Sequence, residues 1–292
     1  MRFLSIFLYF SFFFATSSCL KNNPQPAWLE VTQWTLQSNP GLSGNEGELS
    51  HNFSEAWVYV DDEIIGVFEV PFKIPILKTG QVNIKIYPAV KNNGVSATKK
   101  VYPFMEVYEV NAELIANQTL TLQPTTRYSV ITNFWIEDFE DPLNLKIEVD
   151  QNTSAILSTQ TDNQDLQWFN GNFYGKINLN TTDSSWIAST NEQLNIPKNR
   201  EAYLEIDYYN TNSLLTGVLW VSPTSIVDNA NYQLNAQSPE NVRWKKIYIE
   251  LKELIGFAPA GTNILQSLKA LLDDGKNATE IRLDNIKVVY FN

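Results

Sequence analysis

Residues 56–70 read Ala56-Trp-Val-Tyr-Val-Asp-Asp-Glu-Ile-Ile-Gly-Val-Phe-Glu-Val70, the most regularly patterned stretch of the chain. Two runs rich in β-branched and aromatic residues flank Asp61-Asp62-Glu63, which has the composition of a turn. This pattern predicts a β-hairpin with its turn at the acidic residues. The hairpin favours a β-sheet fold for the sequence around it.

The segments on either side of the hairpin also have the features of strands and turns. Pro71 and Pro75 predict a segment that stays out of central strand pairing, because proline cannot donate a backbone hydrogen bond. Residues 81–88 alternate apolar and polar side chains, which predicts a strand. Further strands are expected at 28–36, 98–110 and 114–122, with a turn at Asn92-Asn93-Gly94.

The order of motifs in residues 57–90 resembles a known domain type. Val-Tyr-Val-Asp-Asp-Glu-x-x-Gly, a proline, and Ile-Pro-Ile-Leu-x-x-Gly-x-x-x-Ile-x-Ile follow one another. This order is similar to PEGA-type and related small β-sandwich domains of bacterial envelope proteins. The resemblance implies an immunoglobulin-like β-sandwich, which we place at residues 27–123.

A second domain is expected from Pro124 to the end of the chain, because long strand-like runs restart there with different motifs. Strands are predicted at 127–139, 202–209, 216–221, 244–251 and 280–291. Ile264 to Leu272 carries apolar residues at helical spacing and predicts one short helix near the C-terminus.

Motifs of this second half resemble galactose-binding-like jelly rolls, the fold of many carbohydrate-binding modules. The resemblance rests on Phe134-Trp-Ile-Glu-Asp-Phe-Glu-Asp141, Tyr203-Leu-Glu-Ile-Asp-Tyr-Tyr209, Trp244-Lys-Lys-Ile-Tyr-Ile-Glu-Leu251 and Arg282-Leu-Asp-Asn-Ile-Lys-Val-Val-Tyr290. It implies a jelly-roll domain at 124–292. The predicted fold class is therefore all-β, with two β-sandwich domains, immunoglobulin-like followed by jelly roll.

The N-terminus predicts export and lipid anchoring. Residues 1–18 carry a basic residue, an apolar stretch and small residues, as a signal peptide does. Thr16-Ser17-Ser18-Cys19 resembles a lipobox of the looser Bacteroidota type, which implies that Cys19 is lipidated and that residues 19–26 form a tether. An ordinary cleaved signal with an incidental cysteine is the alternative. We expect an outer-membrane lipoprotein on the periplasmic or cell-surface face.

The net charge of the chain and a few acidic and aromatic residues limit the kinds of partner that are expected. A net charge of −11 argues against nucleic acid. In the jelly-roll resemblance, Glu140 and Asp284 match positions that hold a structural Ca²⁺; solvated edge acids are the alternative. Trp168 and Trp220, with Phe169 and Trp186, could form a sugar-stacking platform, although most tryptophans of β-sandwiches belong to the core.

Catalysis is not expected. His51 is the only histidine and has no nucleophile motif nearby, so a Ser/His/Asp triad is not indicated. Paired carboxylates for glycoside hydrolysis stay open, because the chain has many acids. The leading hypothesis is a non-catalytic accessory or scaffold subunit of an envelope protein complex, held to the membrane by its lipid. The alternative is a cell-surface carbohydrate-binding lipoprotein.

Overall fold

The computed structural model describes residues 25–161 and 171–292, and the regular secondary structure of these residues is almost entirely β-strand. The strands of the first half are β1 (Ala27–Val31), β2 (Thr35–Leu36), β3 (Glu55–Val60), β4 (Glu63–Glu69), β5 (Phe72–Ile76), β6 (Gly80–Lys91), β7 (Lys99–Val101), β8 (Tyr108–Leu114), β9 (Thr119–Leu122) and β10 (Thr125–Thr126). Those of the second half are β11 (Thr132–Glu137), β12 (Ile147–Val149), β13 (Leu157–Gln160), β14 (Tyr174–Asn180), β15 (Ser185–Thr190), β16 (Ala202–Asn210), β17 (Leu214–Val221), β18 (Ile226–Leu234), β19 (Lys245–Glu250), β20 (Asn263–Leu271) and β21 (Ala278–Phe291).

The strands form two sandwiches. In the N-terminal sandwich, residues 27–122, a three-stranded sheet of order β5-β1-β9 faces a sheet of order β4-β3-β6-β7, in which β8 also pairs with β6. In the C-terminal sandwich, residues 132–291, a sheet of order β13-β14-β21-β16-β19 with β11 beside β21 faces a five-stranded sheet of order β12-β15-β20-β17-β18. The short β2 and β10 pair with each other between them. The all-β fold class with two sandwiches is confirmed.

The predicted hairpin is present as β3 and β4. Val60 pairs with Glu63, so Asp61 and Asp62 form a two-residue turn. Both have positive φ values, 49° and 64°, as the tight turns of hairpins require. The strand that follows, β5, pairs only with β1 and lies at a sheet edge, as its prolines predict.

The helix predicted at 264–272 is wrong. Residues 264–271 belong to β20, while the α-helix of the described residues, α1, spans Lys252–Phe257. In β20, Ile264 and Leu268 pack into the core, whereas Leu265 and Leu271 point to the opposite face. Because apolar residues occur on both faces of this strand, their spacing imitates that of a helix. No helix among the described residues is long and apolar enough to cross a membrane.

One sheet of the C-terminal sandwich is buried on both faces. Leu204 and Ile206 of β16 point into the C-terminal core. Tyr203, which precedes Leu204 and points to the opposite face of the sheet, belongs to the N-terminal core, as do Tyr248 of β19 and Val289 of β21. The N-terminal sandwich therefore packs against the six-stranded sheet, and the two sandwiches share a hydrophobic core.

The five-stranded sheet has a different environment. None of its residues belongs to the N-terminal core. Ala230 and Gln233 of β18 are exposed on its outer face, and Leu271 is 66% exposed. We call this outer surface the open face.

Candidate functional site

A row of small side chains crosses the open face at right angles to its strands. Ser189 of β15 pairs with Ser267 of β20, Ser267 pairs with Gly217 of β17, and Gly217 pairs with Ala230 of β18. Glu148 of β12 pairs with Ser189 and continues the row to the sheet edge. Neighbouring strands lie about 4.8 Å apart, so the four small residues span roughly 14 Å, and Glu148 extends the row to roughly 19 Å. We call it the trough.

Gly217 forms the floor of the trough because a side chain does not fit there. A Cβ atom at this position would lie 2.8 Å from Ser267 Oγ and 2.9 Å from the backbone oxygen of Asn229. The strand is also irregular here, with a register shift between Thr216 and Gly217. Gly217 is buried and Ser267 is only 2% exposed, so the centre of the trough lies beneath the side chains that flank it.

Larger side chains rise on both sides of the trough. On one side, Leu215 pairs with both Lys269 and Gln233, and Lys269 also pairs with Ile187. On the other side, Leu219 pairs with Leu265 and Asp228. The first wall borders a cavity of about 420 Å³, lined by Ile187, Ser213, Leu215, Gln233, Lys269, Leu271 and Asp273. This volume lies within the usual range of small-ligand sites, about 300 to 1,000 Å³.

An ion pair crosses the trough above its floor. Lys269 Nζ on one wall contacts the carboxylate of Asp228 on the other, and both side chains are partly exposed. Ser267 Oγ also donates to Asp228 Oδ1 at 3.3 Å. The site therefore combines fixed hydrogen-bonding charges with the apolar side chains of the walls, a combination that can bind a polyhydroxylated ligand.

Of the predicted stacking residues, the structure describes Trp186 and Trp220, and neither belongs to the trough. Trp168 is outside the described residues, as is Phe169. Trp220 of β17 packs against the C-terminal core, and its indole nitrogen is buried without a hydrogen-bond partner. Trp186 is fully buried, so its part in a platform is wrong. A ligand contact at Trp168 or Trp220 stays a prediction, and the packing of Trp220 favours a role in the core.

The two predicted calcium ligands differ in their surroundings. Glu140 accepts hydrogen bonds from the backbone nitrogens of Asn172, at 2.6 Å, and Phe173, at 2.9 Å. Asp284 is buried, and its Oδ2 has no hydrogen-bond partner. Burial raises the pKa of Asp284 to about 9, with further contributions from the charges of Asp207 and Glu140. The alternative of solvated edge acids is therefore wrong for Asp284.

Metal binding at this position stays a prediction. Within the ranges that the structure describes, no group of three or more His, Cys, Asp or Glu side chains is arranged to hold a metal ion. The unpartnered carboxyl oxygen of Asp284 is nevertheless a hard ligand of the type that Ca²⁺ prefers, and a bound ion would displace the proton that the raised pKa keeps on this group. Cys19, the predicted lipidation site, lies outside the described residues.

A buried ionic cluster joins the two sandwiches. Lys246 Nζ lies 3.0 Å from Glu205 Oε2 and 3.5 Å from Asp207 Oδ1. Tyr102 and Tyr128 of the first half donate to Glu205 Oε1 at 2.6 and 2.8 Å. Burial alone would raise the pKa of Glu205, but the nearby lysines and the tyrosine hydroxyls hold it below the ordinary value. Glu205 is therefore an anion in the folded protein.

The same cluster contains a serine next to a lysine, which invites a catalytic interpretation. Lys246 Nζ donates to Ser50 Oγ at 2.9 Å. Burial opposes a charge on Lys246, yet Asp207 and Glu205 outweigh it and raise the pKa of the ammonium group. A lysine held in its protonated form cannot take a proton from Ser50. His51 stacks on Phe53 at 5.0 Å between ring centroids, and the contact is structural.

The residues of the trough were not identified from the sequence. Gly217 gave one usable signal, because a lone glycine inside a strand-like run often marks a close approach. Ser189, Ser267 and Ala230 have no individual signature, and only the strand register brings them together.

Comparisons with known proteins identify no family for this chain. No family model and no curated protein matches it. Among solved structures, one from work on the promiscuous specificity of carbohydrate-binding modules of the β-sandwich superfamily matches at 10% identity and a TM-score of 0.39. The match covers 80% of this chain and 83% of that chain.

Two further solved structures give similar values. A family 28 module specific for non-crystalline cellulose matches at 13% identity and a TM-score of 0.37, covering 51% of this chain and 91% of that one. The family 11 module of a cellulosomal cellulase of Clostridium thermocellum matches at 16% identity and a TM-score of 0.35. The match covers 53% of this chain and 94% of that chain. At these identities and TM-scores, the matches carry no conclusion about the family or the ligand of this chain.

Proposed function

We propose that this protein is a non-catalytic glycan-binding protein that holds a saccharide chain along the trough of its open face, over the Lys269–Asp228 pair. The observation that carries the proposal is the row of small residues, Ser189, Ser267, Gly217 and Ala230, between two walls of larger side chains. A trough of this kind crosses several strands and suits an extended ligand rather than a compact one. This is the alternative function predicted from the sequence.

The chemistry of the trough suits a sugar. The hydroxyl groups of a saccharide donate and accept hydrogen bonds, and the Lys269–Asp228 pair and Gln233 offer both kinds of partner. The walls contribute Leu215 and Leu219, which can cover the apolar C–H faces of a sugar ring. Lipidation at Cys19 would keep the protein and its bound glycan at the outer membrane, in agreement with the predicted localisation.

The test is affinity gel electrophoresis of the purified protein against a panel of neutral polysaccharides. Ala230→Ile fills the trough from an exposed position. It should lower the affinity for any polysaccharide that the wild type binds by roughly tenfold, which the gel shows as weaker retardation. Thr121→Ile, at an exposed position of β9, is the matched control and should bind as the wild type does. Equal binding by the wild type and Ala230→Ile would contradict the trough as the site.

A second candidate function is the accessory or scaffold subunit of an envelope protein complex. It is favoured by β18, an edge strand with Ile226 68% exposed and Val227 45% exposed. Such an edge can pair with a strand of another protein. A pull-down from detergent-solubilised membranes tests this role, and recovery of this chain alone would count against it.

A further inference from the structure

A second cleft lies at the junction of the two sandwiches, away from the open face. It has a volume of about 660 Å³ and lies beside β19, the edge strand of the six-stranded sheet. The N-terminal sandwich contributes Asn52, Ser54 and Lys91 to its lining. Arg243 and Lys245 line it from the C-terminal half. We call it the junction cleft.

The junction cleft has a charge opposite to that of the protein. The chain has 32 acidic and 21 basic residues. Nevertheless, none of the described residues that line the cleft is acidic, and four of them are basic: Lys91, Arg243, Lys245 and Lys246. A basic cleft in an acidic protein attracts anions selectively, because the rest of the surface repels them.

Two of these cations have no charge partner among the described residues. Lys246 is neutralised by Glu205 at 3.0 Å, and Lys91 lies 3.5 Å from Glu69. Arg243 and Lys245 form no such ion pair, and both line the same cleft. Burial and the adjacent Arg243 lower the pKa of Lys245, so the two side chains destabilise each other's charge. A bound anion would relieve this repulsion.

We propose that the junction cleft binds the carboxylate of an acidic sugar, with Arg243 and Lys245 as the residues that contact it. This proposal rests on the proposed glycan-binding function. It names a class of ligand for a second site, separate from the trough. A guanidinium group forms two parallel hydrogen bonds with a carboxylate, and the neighbouring ammonium group adds a third. Ser54 and Tyr208 supply hydroxyl groups for the sugar ring.

The experiment compares two forms of one polymer. The probes are polygalacturonate and the same polymer after methyl esterification, which removes its charges and keeps its backbone. Binding to the full-length protein without its signal peptide is measured by isothermal titration calorimetry at low salt. Polygalacturonate should bind, and esterification should weaken binding. Arg243→Gln with Lys245→Gln should weaken polygalacturonate binding by roughly tenfold or more, since bonds to charged groups are lost.

A matched control separates a specific cleft from general charge. Arg200→Gln with Lys73→Gln removes the same residue types from exposed positions and should leave the affinity unchanged. The junction cleft would be overturned by any of three results. The control could lose as much affinity as the Arg243 and Lys245 variant, the esterified polymer could bind as tightly as polygalacturonate, or the Arg243 and Lys245 variant could keep the wild-type affinity.

The outcomes also separate this proposal from the proposed function. If neutral polysaccharides bind and Ala230→Ile weakens them while polygalacturonate does not bind, the trough stands and the junction cleft fails. If polygalacturonate binds but only Ala230→Ile weakens it, the acidic sugar belongs to the trough and the cleft again fails. If no polysaccharide of either kind binds, the proposed function itself fails, and the junction cleft fails with it.

Discussion

Glu205 and Lys246 lie on the neighbouring strands β16 and β19 and form an ion pair 3.0 Å long in which neither side chain is exposed. The pair lies where the N-terminal sandwich packs against the six-stranded sheet. Since Tyr102 and Tyr128 also donate to Glu205, the two halves of the chain are held together by polar as well as apolar contacts.

Removing one charge of this pair should destabilise the protein strongly. Lys246→Met leaves Glu205 buried without its cation, and such a loss typically costs about 3 to 5 kcal/mol. Urea unfolding followed by tryptophan fluorescence measures the change. Lys252→Met, which removes an exposed partner of Glu201, is the control and should change stability little. The double variant Glu205→Gln with Lys246→Met should recover part of the loss; no recovery would contradict the role of the unpaired charge.

Acid sensitivity should depend on His51. Burial and, to a smaller extent, the positive charge of Lys246 lower the pKa of His51 from 6.5 to about 4. Between these values the unfolded chain binds a proton that the folded chain does not, so stability falls as the pH decreases from 6.5 to 4. The full effect of this group is about 3 kcal/mol. In thermal unfolding at several pH values, His51→Gln should lose less stability over this range than the wild type. A parallel loss in both proteins would contradict this assignment.

Calcium should stabilise the protein if Asp284 and Glu140 form the predicted site. Added Ca²⁺ should then raise the melting temperature of the chelator-treated wild type, because the ion would pair with the unpartnered Oδ2 of Asp284. Asp284→Asn and Glu140→Gln should each abolish the increase, whereas Asp274→Asn, at an exposed position, should retain it. A wild type that does not respond to Ca²⁺ would leave these acids without a metal.

Lipidation should require Cys19. Cys19→Ser removes the thiol that a diacylglycerol group would modify, so the protein should move from the membrane to the soluble fraction. Fractionation followed by immunoblotting detects the change, and mass spectrometry of the wild type should show the mass of the attached lipid. Ser18→Ala, next to the cysteine, should stay in the membrane fraction. If Cys19→Ser also stays there, the anchor lies elsewhere.

Local features could be predicted from the sequence, and features that depend on distant residues could not. The β3–β4 hairpin was predicted because its turn and both strands lie within residues 55–69. The β20 strand was misread because Leu265 and Leu271, which face outward, completed a helical spacing. Leu271, one of these outward-facing residues, lines the cavity beside the trough.

The buried cluster and the trough show why the rest was not predictable. Tyr102 and Glu205 are separated by 103 positions, and Ser50 and Asp207 by 157. No periodicity connects residues at such separations. Buried charges are rare unless they are paired, so the residue types of Glu205 and Lys246 do not indicate a place in the core. The candidate site likewise depends on the register of four strands, which the sequence does not specify.

The shared core also bears on how this architecture can be inherited. Cutting the chain near residue 124 would expose Tyr203, Tyr248 and Val289, together with one side of a charged cluster. Neither half is therefore an independently folding domain of the kind that recombination can transfer from one protein to another. Duplication or transfer of the gene must carry both halves together, and an insertion between them would separate surfaces that have to stay in contact.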